Sequence, residues 1–233
     1  MQLSGSVSVI IPAYNRQTYI AEAVRSALSQ SQSPLEVIVV DDGSTDGTRQ
    51  VLEQFFSEVR YEVQPHCGAG AARNRGAELA SAEFLAFLDA DDMWPPHKVA
   101  RQLEAFRLRP DLDMVYGQVR QLHDGPEWLS GISETAPDLS QSIPGYAAGA
   151  LMVRRDAFFR VGPFSLDLKI GEFIDWYARA RELGLRETCL PDLVLFRRIH
   201  ASNQGIVERA SRSDYAKVLK ASLDRRRALG QNI

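Results

Sequence analysis

Cysteine is scarce in this chain: only Cys67 and Cys189 among 233 residues, in unrelated surroundings. That excludes a disulfide framework and reads as two reduced thiols. Long apolar runs are missing too. No stretch approaches the roughly 18 apolar residues of a membrane span, so none is expected, while a peripheral membrane contact stays open. The opening Met1–Gly5 lacks a basic segment leading into an apolar one, so no secretory signal is expected there. The expectation is a soluble, cytoplasmic protein. An excess of one charge is also lacking. A formal net charge of −3 gives no reason to expect nucleic acid or an acidic membrane as partner. Internal repeats are absent, and 233 residues suffice for one domain, or one domain with an appendage.

What is present is an alternation of short β-branched runs with helical periods. Val7–Pro12 reads as a strand closed by proline, and Ile20, Val24, Ala27 and Leu28 mark a helix within Tyr19–Gln30. Glu36–Val40 is a second buried strand, followed by the turn chemistry of Gly43–Thr48 and a helix through Phe56. Val59–Gln64 is a third strand. Phe84–Leu88 is a fourth, apolar throughout and so buried on both faces, with a helix from about Pro96 to Leu108 behind it. This β-α-β-α-β-α-β order predicts an α/β protein with an open parallel sheet. Beyond Asp111 the pattern loosens. A strand is expected over Met114–Leu122, a loop over His123–Ile143, a small-residue strand over Tyr146–Val153 and a short helical turn over Arg154–Phe159. A helix from Ile170 to about Gly184, a strand over Leu190–Phe196 and a helix from Tyr215 onward complete the reading.

Three features carry chemistry. The fourth strand runs into Asp89-Ala90-Asp91-Asp92, and the second ends in Asp41-Asp42. Carboxyl ends of strands in an open α/β sheet are where ligands bind. Asp89 and Asp91, one small residue apart, suit a hard divalent cation that neutralises a diphosphate. The competing reading is a turn or helix-start cluster, which two acid-tipped strands weaken. Gly68-Ala69-Gly70-Ala71-Ala72-Arg73-Asn74 opens a helix and suits a phosphate, although close helix–sheet packing explains its glycines equally well. Glu172 and Asp175 lie three apart near a helix start, where complementing the helix dipole is the alternative to a catalytic role.

Taken in order, these segments resemble the family-2 glycosyltransferases of the GT-A fold. The matching pieces are Ser8–Asn15, Val39–Asp46, Gly68–Asn74 and Leu88–Asp92. Weaker matches follow at Gly149–Arg155, Gly162–Phe164, Gly171-Glu172 and Arg198–His200. The resemblance covers about residues 6–204 and implies a glycosyltransferase domain over 1–204, with a nucleotide-binding half (1–110) and a smaller acceptor-side half (111–204). Residues 205–233 are left as a C-terminal helical extension.

By resemblance, Pro12, Ala13, Tyr14 and Asp42, with Asp41 behind it, would line the nucleoside pocket. Gly70, Arg73 and Asn74 would border the nucleotide and donor. Asp91 would be the direct Mn²⁺ or Mg²⁺ ligand, with Asp89 on the ribose or donor sugar, Ala90 between them and His200 closing on the metal and diphosphate. The implied activity is metal-dependent, inverting transfer from a nucleotide-diphosphate sugar, a UDP-sugar first, to a hydroxyl acceptor. A homodimer stays open.

The sequence departs from the family at the base. The family's aspartate position holds Phe173, which leaves Glu172, preferred for keeping a family position, or Asp175. That departure also feeds the alternative of a non-catalytic relative that binds nucleotide sugars as a scaffold. A nucleotidyltransferase is less favoured, because the first loop has no glycine run.

Overall fold

The structure is a computed structural model that describes residues 5–123, 142–201, 203 and 213–228. Its frame is an eight-stranded sheet. Strands β1 (Val7–Ala13), β2 (Glu36–Asp41), β3 (Arg60–Val63) and β4 (Phe84–Phe87) run parallel, with β1 between β2 and β4. The crossover helices are α1 (Ile20–Leu28), α2 (Thr48–Leu52) and α3 (Ala69–Leu79), with α4 (Lys98–Leu108) after β4.

β1 is buried along its whole length because both faces are covered. Val9 and Ile11 point into one core with Val37, Val39, Trp94 and Leu103, and Ile10 points into the other with Ile38, Leu85, Phe87 and Trp176. A β-branched run with no polar alternation is what such a strand requires. On the second face, α3 lies tight against β1 at Gly76. A Cβ there would stand 2.3 Å from Ile10 Cγ2, so only glycine permits this approach.

The second half adds β5 (Met114–His123), β6 (Ser142–Pro144), β7 (Met152–Arg154) and β8 (Glu187–Ile199), with helices α5 (Arg155–Val161), α6 (Glu172–Glu182) and α7 (Ser213–Ala228). β7 pairs antiparallel with both β4 and β5, and β8 runs parallel to β5. Among the described residues no helix is long and apolar enough to cross a membrane.

Four elements differ from the sequence expectation. The strand expected over Tyr146–Val153 is a 3₁₀ turn at Ala148–Ala150 followed by the short β7. Its carbonyls are met by side chains rather than by a neighbouring strand: Trp94 Nε1 donates to the Gly149 oxygen at 2.8 Å and Gln102 Nε2 of α4 to that of Ala150 at 2.9 Å, while Lys98 Nζ lies 3.5 Å from that of Leu151. β8 extends beyond Leu190–Phe196 at both ends because β5 offers it a partner from Met114 to His123. Of the loop expected over His123–Ile143, residues 124–141 lie outside the described residues, His123 closes β5 and Ile143 belongs to β6, antiparallel to β5. The helix expected through Phe56 ends at Leu52 and tightens into a 3₁₀ turn over Glu53–Phe55.

Candidate functional site

A cleft of about 1030 Å³ opens at the carboxyl ends of β1, β2 and β4, the edge where the sequence gathers its acids. Its floor is the turn after β4. The Asp92 amide donates to the Asp89 carbonyl at 3.0 Å, and Met93 and Phe196 exchange backbone hydrogen bonds of 3.1 and 2.9 Å. The Arg198 amide donates to Asp92 Oδ1 at 2.9 Å. These three bonds staple the end of β8 to the acid turn and thereby deliver His200. Its Nε2 lies 3.0 Å from Asp91 Oδ2, with its ring stacked on Tyr19 at 4.7 Å. Arg16 Nε donates to the same Asp91 oxygen at 3.2 Å.

The two neighbouring acids respond in opposite directions. Burial works to raise the Asp91 carboxyl, yet the His200 hydrogen bond and the Arg16 charge outweigh it and hold Asp91 below its ordinary range. Asp92 is also buried and faces the charges of Asp91 and Asp89, so its carboxyl is pushed well above.

Arg73 joins the two sides of the cleft. Its guanidinium is buried and forked, with Nη1 donating to Glu172 Oε1 and Nη2 to Asp89 Oδ1, both at 2.6 Å. Burial disfavours the cation, but the two carboxylates raise its affinity for the proton. Glu172 Oε2 makes no hydrogen bond among the described residues. Asp89, Asp91 and Glu172 are therefore paired with protein cations, and Arg73, expected to border the donor, lines the cleft and positions two of these carboxylates.

On the nucleoside side Pro12, Ala13, Tyr14, Asp42, Gly70 and Ala90 all line the cleft. Asp42 is only 2% exposed. Gln64 Nε2 (2.7 Å) and the Cys67 amide (2.9 Å) donate to Oδ1, the Gly68 amide donates to Oδ2 at 2.7 Å, and His66 Nδ1 lies 2.8 Å from Oδ2. Asp42 thus shapes the loop into α3, where Gly68 takes φ +93°. Tyr14 and His66 stack with ring centroids 3.9 Å apart, an open aromatic platform beside it.

Asp41, Asn74 and Asp175 are not brought to the cleft, and His200 meets it through Asp91 rather than lining it. Asp41 lies behind it, accepting from the Ser44 amide at 2.8 Å and Tyr61 Oη at 2.7 Å. Asn74 clamps Phe164 through two backbone bonds of 2.9 and 2.8 Å. Asp175 is buried between Arg179 (2.9 Å) and Arg225 of α7 (3.4 Å), which draw it away from the opening. Phe173 itself reaches the cleft wall. Sequence reasoning passed over Arg16, His66, Tyr146 and Tyr215. The one available signal was Arg16 at the end of the first acid-facing loop; the others depend on contacts between distant segments.

Asp91, His200 and Asp89 supply hard oxygen and imidazole donors. Among the described residues no three His, Cys, Asp or Glu side chains gather into a cage. One or two carboxylates completed by substrate phosphates is how Mg²⁺ is commonly held, and the residues fit that mode.

The family model for glycosyl transferase family 2 matches residues 8–168. The chain is 46% identical over 102 residues to the putative teichuronic acid biosynthesis glycosyltransferase TuaG of Bacillus subtilis, covering 42% of this chain and 40% of that protein. It is 37% identical over 113 residues to the UDP-Glc:alpha-D-GlcNAc-diphosphoundecaprenol beta-1,3-glucosyltransferase WfgD of Escherichia coli, covering 48% and 44%. The crystal structure of S. aureus TarS 1-349 in complex with UDP superimposes with a TM-score of 0.66 at 26% identity, over 84% of this chain and 61% of that one. The chain spans less than half the length of these two curated relatives.

Proposed function

The chain belongs to glycosyl transferase family 2, and on that premise we propose that it moves a sugar from a nucleotide diphosphate to a hydroxyl acceptor with inversion. A UDP-sugar is the donor we put first, because TarS, whose fold it shares, is described in complexes with UDP and with UDP-GlcNAc. The observation that carries the reading is the Arg73 fork, which sets Asp89 and Glu172 on facing sides of one cleft.

In this reading the nucleobase rests on the Tyr14–His66 platform. Asp91, with His200 and Asp89, would hold Mn²⁺ or Mg²⁺, which when bound supplies positive charge to the leaving diphosphate. Glu172 is the base: Arg73 holds Oε1, and Oε2 takes the proton from the acceptor hydroxyl. The acceptor's hydroxyl oxygen then forms its bond to the anomeric carbon as the bond to the diphosphate oxygen breaks on the opposite face, and UDP leaves. The two unpaired thiols suit a cytoplasmic location.

The test is release of UDP from UDP-glucose and UDP-GlcNAc with Mn²⁺, with Mg²⁺ and with EDTA. Turnover that EDTA abolishes supports the reading, whereas UDP affinity indifferent to both cation and Asp91→Ala sinks the metal assignment. Phe173 in the family's aspartate position favours a second reading, a nucleotide-sugar-binding scaffold without turnover. Tight UDP binding with no UDP release from any donor would support that instead.

A further inference from the structure

The acceptor side of the cleft differs in character from the donor side. Donor-side groups are acids, arginines and backbone amides, with the Tyr14–His66 platform beside them. Around Glu172, beside Ser165 and Lys169, several lining side chains are apolar and open to solvent: Tyr146 is 49% exposed, Tyr215 45%, Ile174 47% and Leu166 66%. Scattered apolar residues are ordinary on a surface, but several converging on one cleft mark a place where a ligand covers them.

Two of these side chains are held rigidly. Tyr146 packs on Tyr116 at 5.3 Å and on Tyr177 at 5.5 Å between ring centroids. Phe173 joins the same cluster, 6.5 Å from Tyr116 and 6.4 Å from Tyr177. The residue that replaces the family's aspartate is therefore part of an aromatic wall.

Tyr215 reaches the cleft from α7 by lying over Gly171. A Cβ at Gly171 would come within 3.2 Å of the Tyr215 ring, and the φ of +85° there also favours glycine. α7 is pinned in that position. The Lys169 amide donates to Asp214 at 3.0 Å, Ser222 Oγ to Glu182 at 2.7 Å, and Arg225 Nε to Glu182 at 2.6 Å. Gly171 and Phe173 flank Glu172 in the chain, so the two tyrosines belong to the surroundings of the carboxylate that faces the acceptor.

We infer that Tyr146 and Tyr215 form an acceptor subsite for a ring-bearing glycoside, whose apolar ring face or aglycone covers the tyrosines while its hydroxyl meets Glu172. The inference rests on the transferase reading, and it makes α7, outside the family-matched segment, a contributor to acceptor choice.

The test is a ligand-observed NMR titration of the whole chain with p-nitrophenyl β-D-glucopyranoside and with the open-chain polyol glucitol, with and without UDP. The aryl glycoside should bind at least about fivefold tighter than glucitol. Tyr146→Ala and Tyr215→Ala should each weaken it by about fivefold or more, the scale on which truncating a buried aromatic contact is felt. Tyr215→Phe should retain it, and UDP affinity should stay level in all three variants. Equal binding of the two probes, no binding of the aryl glycoside, or alanine variants that match wild type would overturn the inference. Failure of wild type to bind UDP would sink the donor reading instead, while the arms without UDP still decide this one.

Discussion

Removing the Arg73 guanidinium should be felt in stability and in turnover, by amounts the structure allows to be worked out. Breaking a buried ion pair by deleting one partner costs about 3–5 kcal/mol, because the other charge is left uncompensated. The fork has two arms of unequal weight. Glu172's side chain is 11% exposed, whereas that of Asp89 is 37% exposed and screened by water. The lower end, about 3 kcal/mol, is therefore the better figure for Arg73→Ala. At about 2–4 °C per kcal/mol for a chain of this size, the melting temperature should fall by about 6–12 °C.

Turnover should fall further than stability implies. A reacting group displaced by 1 Å can lose about 100-fold in rate, and Arg73 is the side chain that holds Glu172 in place. Arg73→Lys keeps the charge but not the fork, so it should melt between wild type and the alanine variant while recovering little turnover. The assays are a thermal melt by circular dichroism and UDP release from a UDP-sugar. An Arg73→Ala protein that melts within about 2 °C of wild type, or an Arg73→Lys protein with full turnover, would refute the reasoning.

The two carboxylates of α6 should separate cleanly. Glu172→Gln should keep UDP affinity and lose turnover. Asp175→Asn should instead lower the melting temperature by about 4–8 °C, as expected for about 2 kcal/mol of charged hydrogen bonding, with a smaller effect on turnover. Asp92→Asn should change stability in a pH-dependent way. The folded-state affinity of Asp92 for its proton is raised, so its contribution is fully present below the unfolded value of about 3.9 and is lost as pH rises through the raised one. Denaturation at pH 4 and pH 8 should therefore show the asparagine variant gaining on wild type at the higher pH. Gly76→Ala drives a methyl group into Ile10 and should cost about 1–3 kcal/mol in urea unfolding.

The sequence made the nucleotide half legible because its signals are local. Buried strands advertise themselves as apolar runs, and the acids and glycines that follow them are contiguous. The glycine run also had a split answer that only coordinates supply. Gly68 is there for its backbone angle and Gly70 faces the Glu172 side chain, while Gly76, just beyond the run, serves close packing. The choice between Glu172 and Asp175 was not legible. Spacing puts both on one helix face, but Asp175 is claimed by Arg179 one turn on and by Arg225, 50 positions away. Arg16 escaped notice because its partner Asp91 lies 75 positions distant. The turn at Ala148–Ala150 differs from the expected strand because its carbonyls bond to the side chains of Trp94 and Gln102, which no periodicity records.

β8 carries 13 residues from Glu187, which accepts from the Tyr177 hydroxyl, to Ile199, next to His200, with two register shifts in its pairing with β5. At about 3.3 Å per residue it is a rod of roughly 40 Å, joined to β5 along one side and to the acid turn near its end. Such a strand ties the aromatic wall and the aspartates into one element, so the spacing between the two ends of the cleft is set by the sheet rather than by loops.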